Sequence, residues 1–446
     1  MKPYPKYKDS GVEWIGEVPE RWEVKKLKWL AKIRLSNIDK KSKERELTVE
    51  LCNYVDVYYN DSITSKIEFM KATARQDQID ILSLEEGDIL ITKDSESPDD
   101  IAVPAYVPSS LHGVVCGYHL AHIRPYEKHA NGNYLFRSFS AYGISDQFEI
   151  SANGVTRFGI GKQAIDNSVF LTPPLEEQTA IAAYLDRKTA QIDNLISKKQ
   201  KLIELLKEER VATINQAVTK GLNPDAPMKD SGIEWLREIP AHWEVKKLKY
   251  VSIIISKGTT PSTIGKDITA RGEIRFIKAE NIENNNLKPK PAFFVDEKTN
   301  DILKRSQLEK YDILFVIAGA TIGKVAVLTD EFLPANTNQA VSFIRLKPYV
   351  NVKFIWYWLQ SSRINELTWL NAVQSAQPNL SMENLGNFCV TYPTGSQQDE
   401  IVFQIESETT KTDQIITKIK KQIDLLKEYR IALISNVVTG KIDVRT

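Results

Sequence analysis

Two long segments without glycine or proline dominate this sequence, and they constrain the fold more than any other feature. They run from Gln178 to Val218 and from Gln398 to Val438. A helix of such a length would measure ~60 Å, at about 1.5 Å per residue. Two long amphipathic helices bury their apolar sides most simply by packing on each other antiparallel. Large apolar residues of the first segment recur in steps of three, four or their sums, which predicts one apolar stripe along a helix: Ile181, Leu185, Ile192, Leu195, Leu202, Leu206, Ile214 and Val218.

Length and composition set wide bounds on the class of protein. A chain of 446 residues predicts two or more domains, and 42% apolar residues are typical of a globular protein. No apolar run approaches the ~20 residues of a membrane span, and the N-terminus does not resemble a signal peptide. Three cysteines without metal or redox spacing favour a reducing cytoplasm. The net charge of only +1 means that any surface for DNA must be a local patch.

The chain is an internal duplication. The segment from Lys8 to Lys28 returns from Lys229 to Lys249 with 15 of 21 positions identical. The order is therefore entry segment, globular stretch, long helix, and the same again. Between the two copies, the polar and proline-bearing stretch at residues 223–227 is typical of a connection between domains.

The repeated entry segment carries aromatic residues and proline at fixed places. Trp14, Pro19 and Trp22 correspond to Trp235, Pro240 and Trp243. Because a tryptophan ring buries a large area at small entropic cost, this segment can clamp its own domain to the root of a long helix. The alternative is a docking surface for a partner subunit, since interfaces favour aromatic residues.

The two globular stretches align more weakly. Residues 85–107 match 309–329, and both predict strand, polar loop and strand. The strand residues from Gly117 match those from Asn338, and both are followed by the start of a helix. The loop before the last strand places Arg157 opposite Gln377. The fold class is thus α+β, with two mixed α/β domains separated by two long antiparallel, coiled-coil-like helices in a pseudo-twofold repeat.

No catalytic or metal motif is present in the sequence. Residues 318–325 resemble a phosphate-binding loop, but the opening glycine and the closing hydroxyl are missing, so a hairpin is predicted. There is neither H-E-x-x-H nor G-x-S-x-G. His119 and His122 lie three apart on a predicted strand and hence on opposite faces, which disfavours a shared metal. We predict neither catalytic residues nor metal ligands.

Beside the duplicated entry segments, the chain carries the helix entry PPLEEQ and the motifs KGTTPS, GATIGKVAVL, ANTNQAV and QPNLS. Through these segments the sequence resembles the specificity subunits of type I restriction-modification enzymes. The resemblance covers essentially the whole chain, although the first globular stretch has KDSESPDDIAV where the second has AGATIGKVAV, and no GTTP. It implies two target recognition domains, each reading half of a split, asymmetric DNA site, and two helices that set the spacer. It further implies two methyltransferase subunits and restriction subunits as partners, with S-adenosylmethionine, ATP and magnesium held only by those partners.

On this basis the chain divides into four parts. We predict recognition domains at 1–172 and 223–392, and spacer helices at 173–222 and 393–446. Two alternatives stay open. A self-contained adenine methyltransferase would need an Asn/Asp-Pro-Pro-aromatic tetrad, but Pro173-Pro174 is flanked by Thr172 and Leu175. The other alternative is a coiled-coil scaffold that binds no nucleic acid.

DNA contacts are predicted on polar loop residues whose side chains can reach base edges. Arginine suits guanine, and asparagine or glutamine suits adenine, so Arg157 would read guanine and Gln377 adenine. Asparagine is also common in turns for purely conformational reasons. The candidates of the first domain are Lys93, Ser95, Tyr118, His119 and Arg157, and those of the second are Lys257, Thr259, Thr260, Lys278, Asn281, Asn336, Asn338, Gln339, Gln374 and Gln377.

Overall fold

The structure is a computed structural model that describes residues 2–372 and 378–445. The chain forms two compact units. Unit 1 consists of residues 1–199 with 420–446, and unit 2 consists of residues 200–419. Both long helices pass from one unit into the other, so each unit contains a part of each helix. The four-part division predicted from the sequence separates the recognition domains from the helices, whereas these two units each include parts of both helices. The predicted boundaries therefore stay a prediction.

Unit 1 is built around a four-stranded antiparallel main sheet and a second, mixed sheet that also has four strands. The first has the order β10-β8-β12-β4, and the second has the order β6-β5-β11-β7. The strands are β1 Tyr7–Asp9, β2 Glu17–Pro19, β3 Glu23–Lys26, β4 Ala31–Leu35, β5 Leu47–Cys52, β6 Met70–Ala74, β7 Ser83–Leu84, β8 Ile89–Thr92, β9 Asp94–Ser95, β10 Pro104–Tyr106, β11 Leu111–Cys116, β12 Leu120–Pro125, β13 Phe158–Gly159 and β14 Val169–Thr172. The helices are α1 Leu27–Leu30, α2 Tyr54–Tyr58, α3 Gln76–Leu82, α4 Gly132–Phe139, α5 Ile144–Ser151, α6 Lys162–Asn167 and α7 Leu175–Lys220.

Unit 2 repeats the main sheet with the order β24-β23-β26-β18, and it adds a three-stranded sheet, β22-β19-β25. Its strands are β15 Met228–Asp230, β16 Glu238–Pro240, β17 Glu244–Lys247, β18 Ser252–Lys257, β19 Ile274–Ile277, β20 Ile282–Glu283, β21 Asn286–Leu287, β22 Phe294–Val295, β23 Ile313–Val316, β24 Val325–Val327, β25 Ala335–Thr337, β26 Val341–Leu346 and β27 Cys389–Tyr392. Its helices are α8 Leu248–Val251, α9 Glu297–Ile302, α10 Val352–Leu359, α11 Ser362–Asn371, α12 Met382–Gly386 and α13 Gly395–Val438. Strands β23 and β24 pair antiparallel, which confirms the hairpin predicted at residues 318–325.

The two long helices pack antiparallel on each other within each unit. In unit 1, Ile181 and Ile192 of α7 share a core with Leu433 and Val437 of α13. In unit 2, the core combines the last turns of α7 with the first turns of α13. Arg430 binds Asp193 at 3.1 Å, and the repeat-related Arg210 lies 3.7 Å from Asp413. The predicted pairing of the helices is confirmed.

The predicted apolar stripe was wrong in the middle of α7. Leu195 is 43% and Leu202 is 44% exposed, whereas Ile203 is buried. Ile196 packs against the core in unit 1. The buried face of the helix follows the helical period of ~3.6 residues, and this period leads from Ile192 through Ile196 to Ile203. The spacing of the leucines, chosen from the sequence, follows a neighbouring face.

Each long helix is anchored at its start by one buried glutamine. The side-chain carbonyl of Gln178 accepts from the backbone of Asn131 at 2.8 Å, and that of Gln398 accepts from Asn351 at 3.0 Å. Both amides also donate to the carbonyl of the proline five residues earlier, at 2.9 Å. The helix entry motif is therefore a structural device that ties α4 and α10 to the helix roots, since a buried amide requires all its partners.

The repeated entry segment packs inside its own unit. Trp22 and Trp243 are buried, and the indole of Trp22 donates to Glu177 of α7 at 3.0 Å. A Cβ atom at Gly221, just after α7, would press on Trp243, and one at Gly440, just after α13, would press on Pro19 and Trp22. The clamp that the sequence predicted is confirmed for these two tryptophans, whereas Trp14 is 45% exposed.

Candidate nucleic-acid interface

The five residues predicted to contact DNA in the first domain converge in unit 1. They come from the ends of neighbouring strands: Lys93 follows β8, Ser95 lies in β9, Tyr118 and His119 form the turn before β12, and Arg157 precedes β13. The backbone of Lys93 joins them, because its N–H donates to His119 at 3.0 Å and its carbonyl accepts from Ile160 at 2.9 Å. We call Lys93, Tyr118, His119 and Arg157, together with Asp94, the unit 1 cluster.

Asp94 organises this cluster, and the sequence reasoning had not chosen it. Its carboxylate accepts from Nδ1 of His119 at 2.8 Å and from Nζ of Lys93 at 2.9 Å. Partial burial alone would raise the pKa of Asp94, but these two donors outweigh burial and hold the pKa below its usual value. The Lys93 ammonium also lies 4.6 Å from the centre of the Tyr118 ring. Asp94 thus holds the side chains of His119 and Lys93 directly, and Lys93 in turn contacts Tyr118.

Arg157 is the exposed cation of the cluster. Its guanidinium lies 3.4 Å from Nδ1 of His119, but that nitrogen already donates its proton to Asp94. The five donors of Arg157 are therefore available to another acceptor, which suits the bidentate contact of an arginine with guanine. Ser95, in contrast, is buried.

A groove of about 870 Å³ runs beside this cluster, and it contains aromatic residues that the sequence reasoning missed. Tyr54 and Tyr58 of α2 stack with ring centres 5.4 Å apart, and Tyr59 meets Tyr58 edge to face and is 77% exposed. Tyr58 donates to Asp100 at 2.5 Å, and this hydrogen bond raises the pKa of Tyr58 to about 12. The tyrosines of the YVDVYY run were a visible signal, although only the tertiary fold places them here.

Unit 2 brings its predicted residues together at the matching strand ends. Lys257 ends β18 and is followed by Thr259 and Thr260, and the hydroxyl of Thr260 contacts the side chain of Gln339. A Cβ atom on the intervening Gly258 would collide with the carbonyl oxygen of Thr337, so the close approach of the two loops requires glycine. We call Lys257, Thr259, Thr260, Asn338 and Gln339 the unit 2 cluster.

Other predicted residues of the second domain support loops from inside. The side chain of Asn281 is buried, accepting from the backbone of Lys278 at 3.0 Å and donating to Pro291 at 2.7 Å. Asn336 is fully buried and is held by Ser306 at 2.7 Å. Lys278 itself lies 3.5 Å from the ring centre of Phe293. Base contacts by these residues stay a prediction, while Gln374 and Gln377 lie outside the described residues.

The clusters stand at equivalent points of the two sheets. In unit 2 the backbone N–H of Ile317 donates to Ala340 at 2.9 Å, and its carbonyl accepts from Leu380 at 2.8 Å. These are the counterparts of the two backbone hydrogen bonds of Lys93. This equivalence places Gln339 where unit 1 has Tyr118. The same scaffold therefore presents different side chains, which is what two readers of different sequences need.

Two arginines within the main sheets, Arg124 of β12 and Arg345 of β26, form ion pairs inside their own unit. Arg124 forms two hydrogen bonds with Asp88, both 2.8 Å, and Arg345 forms two with Asp312, at 2.9 and 2.8 Å. Both carboxylates are buried, and in unit 1 His122 adds a contact of 2.8 Å to Asp88. Burial would raise the pKa of Asp88, but Arg124 and His122 hold it below its usual value.

Neither a metal site nor a membrane span is found in the described parts of the chain. Within residues 2–372 and 378–445, no three histidine, cysteine, aspartate or glutamate side chains come together as possible metal ligands. No helix in the same ranges combines the length and the apolar character that a membrane crossing requires.

A duplicated α/β fold with two different polar clusters and paired long helices defines a class of two-part recognition subunits. Residues 19–205 and 240–425 each match the family of the type I restriction modification DNA specificity domain. The chain belongs to this family: it is a non-catalytic specificity subunit of a type I restriction-modification system, with two DNA recognition domains. This membership decides against the self-contained methyltransferase and against the scaffold without nucleic acid.

Similar proteins span nearly the whole chain. The putative type I restriction enzyme MjaX specificity subunit of Methanocaldococcus jannaschii is 24% identical over 438 residues, covering 97% of this chain and 96% of that protein. The HsdS subunit from Thermoanaerobacter tengcongensis has a similar fold, with a TM-score of 0.55, 17% identity, and 95% and 98% of the two chains covered. A chain from a structural study of complex assembly and conformational transition of the type I R-M system gives a TM-score of 0.71, with 14% identity, and 95% of this chain and 99% of that chain covered.

Proposed function

We propose that each unit reads one half of a split, asymmetric DNA site through its own cluster. The observation that carries this proposal is the equivalent backbone bonding of Lys93 and Ile317. It aligns Tyr118 with Gln339, so the same strand ends carry different polar side chains in the two units. The guanidinium of Arg157 in unit 1 offers donors only, whereas the amides of Gln339 and Asn338 in unit 2 can both donate and accept. Such sets favour guanine and adenine edges, respectively.

The paired helices are the spacer and the docking platform in this proposal. They continue without interruption from one unit to the other, so their length fixes how far apart two half-sites can be read. Apolar residues stay exposed along them, among them Leu195, Leu202 and Phe403. We assign this surface to two methyltransferase subunits, with restriction subunits joining through them, because exposed apolar side chains in a series mark interaction sites.

In this proposal the catalytic reactions take place in the partner subunits. S-adenosylmethionine would be bound by the methyltransferase subunits, and ATP and magnesium would be required with the restriction subunits. Since the substrate is DNA, we propose the cytoplasm as the place of action.

The test is methylation of a DNA library randomised on both sides of a variable gap. The chain is reconstituted with its methyltransferase subunits, and methylated sequences are recovered. The proposal expects two short conserved blocks separated by one fixed gap. One continuous block, or methylation without sequence preference, would refute it. The chain alone should transfer no methyl group.

A further inference from the structure

A tight loop before β13 presents one apolar side chain to solvent at the edge of the unit 1 cluster. The loop spans residues 153–159. Two backbone hydrogen bonds close its neck: Asn153 donates to Gly159 at 3.0 Å, and Gly159 donates to Asn153 at 2.9 Å. Val155 lies near the middle of the loop and is 91% exposed. We call residues 154–157 the unit 1 tip.

The conformation of the unit 1 tip is fixed by glycine and by pairing with the cluster. Gly154 has a φ angle of 152°, and a Cβ atom there would collide with the carbonyl oxygen of Arg157, so only glycine allows the chain to come so close to itself. Strand β13 pairs with β9, the strand that contains Asp94. The backbone of Ile160, just after β13, donates to Lys93 at 2.9 Å. The tip is therefore held in place against the cluster.

A valine in such a loop runs against local preference. Tight turns favour glycine, proline, asparagine, aspartate and serine, whereas β-branched residues favour strands. Residues that break a local rule without helping the fold are expected at functional sites. Single exposed apolar residues are common on protein surfaces. What distinguishes Val155 is its place in a fixed loop, two residues from Arg157.

The surroundings of Val155 suit a DNA groove. Residues 152–159 carry one charge, that of Arg157, and no carboxylate, so phosphates do not repel the tip. Thr156 and Arg157 line the groove beside the unit 1 cluster. Among the base edges of the major groove, only thymine presents an apolar group, its methyl group. An apolar side chain at this place therefore has one base as its partner.

The spacing limits where that thymine can be. Residues two positions apart are separated by at most ~7 Å, at about 3.3–3.6 Å per residue. This length corresponds to about two base-pair steps of ~3.4 Å each. A base contacted by Val155 thus lies within two base pairs of a base contacted by Arg157.

We propose that Val155 is a specificity-determining residue that contacts the methyl group of a thymine in the first half-site, within two base pairs of the guanine read by Arg157. This inference rests on the proposed function, because it assumes that unit 1 reads that half-site. It goes further in adding a base to the half-site and in naming the side chain that selects it.

The test removes methyl groups from the DNA and from the protein in all combinations. Reconstituted complexes methylate duplexes of the site recovered from the library, in which the thymines of the first half-site are replaced one at a time by deoxyuridine. Deoxyuridine lacks only the methyl group and keeps its base pairing. At one thymine, the unaltered complex should lose about fourfold in kcat/KM, as expected for one buried methyl group. The Val155→Ala complex should methylate both duplexes equally well, since a direct contact makes the two changes non-additive.

The matched control is Ile81→Ala, which removes another exposed, branched apolar side chain of unit 1, from helix α3. This complex should keep the fourfold preference for thymine. If the library gives two blocks and a fixed gap but no thymine within two base pairs of the guanine, the role of Val155 is refuted and the proposed function stands. The same conclusion follows if deoxyuridine has equal effects on the unaltered and Val155→Ala complexes.

A third result would also overturn the proposal. If Val155→Ala weakens methylation of all sequences alike and leaves the thymine effect intact, the side chain contacts the DNA backbone or a partner subunit. If the library gives no two separate blocks, the inference and the proposed function fail together.

Discussion

The replacement of Asp94 by asparagine tests the unit 1 cluster most sharply. This change keeps the shape of the side chain but removes the charge that holds His119 and Lys93 at 2.8 and 2.9 Å. Hydrogen bonds to a charged group contribute about 1.5–3 kcal/mol each. The carboxylate is 22% exposed, and asparagine still accepts one of the two bonds. We therefore expect the free energy of unfolding to fall by about 1–2 kcal/mol.

The expected effect on recognition is local. With His119 and Lys93 released, discrimination at the first half-site should fall about tenfold, which corresponds to ~1.4 kcal/mol. The second half-site should not change, because distant sites in separate cores behave additively. Because the pKa of Asp94 is held below its usual value, its stabilisation is complete above the unfolded pKa of ~3.9 and is lost as the pH falls through the folded value.

Methylation of the doubly randomised library by the reconstituted complex measures both half-sites at once. The matched control is Asp330→Asn, which removes an exposed aspartate that pairs with Lys310 in unit 2 and should leave every preference as it was. An unchanged first half-site in the Asp94 variant would refute the organising role of this carboxylate. A change confined to the second half-site would refute the assignment of the cluster to the first.

Two further predictions concern the scaffold. Asp88→Asn should destabilise unit 1 by about 1.5–3 kcal/mol, since the buried side chain loses its charge-assisted hydrogen bonds with Arg124, which is 25% exposed and keeps its ion pair with Glu85; hydrogen exchange should report faster opening in unit 1 only, and an equal effect in unit 2 would contradict the prediction. Four residues inserted after Lys199 and four after Gln422, two residues bonded at 2.7 Å, should lengthen the helices by ~6 Å and the permitted gap by one or two base pairs. Library methylation reads the gap directly, and an unchanged gap would exclude the helices as the spacer.

Much of the scaffold could be predicted because it depends on local sequence and on repetition. The long helices follow from the absence of glycine and proline over some forty residues, and the structure extends them only slightly, to Leu175–Lys220 and Gly395–Val438. Trp22 and Trp243 were correctly predicted to pack at the helix roots. Leu195 and Leu202 were misplaced because apolar spacing in a long helix fits two neighbouring faces almost equally well.

The site was harder to predict because it is assembled from distant loops. Lys93, His119 and Arg157 could be placed near strand ends because they border apolar strand residues, and their contact with DNA stays a prediction. Asp94 was missed because its importance lies in accepting from two partners, one of them 25 residues away, and no sequence spacing shows that. Asn336 has a structural role that its motif does not show, because its buried side chain accepts a hydrogen bond from Ser306; base contact by this residue stays a prediction.

The central claim is that each unit reads its own half of the DNA site, and a matched pair of variants tests it most directly. Arg157→Ala and Gln339→Ala remove exposed side chains, one from each cluster, with little effect expected on stability. The library methylation of each reconstituted complex is compared with that of the unaltered one. We predict that each variant relaxes one position of a different half-site by about 1–3 kcal/mol and leaves the other half-site unchanged. Uniform loss across all sequences, or relaxation of the same half-site by both variants, would contradict the account.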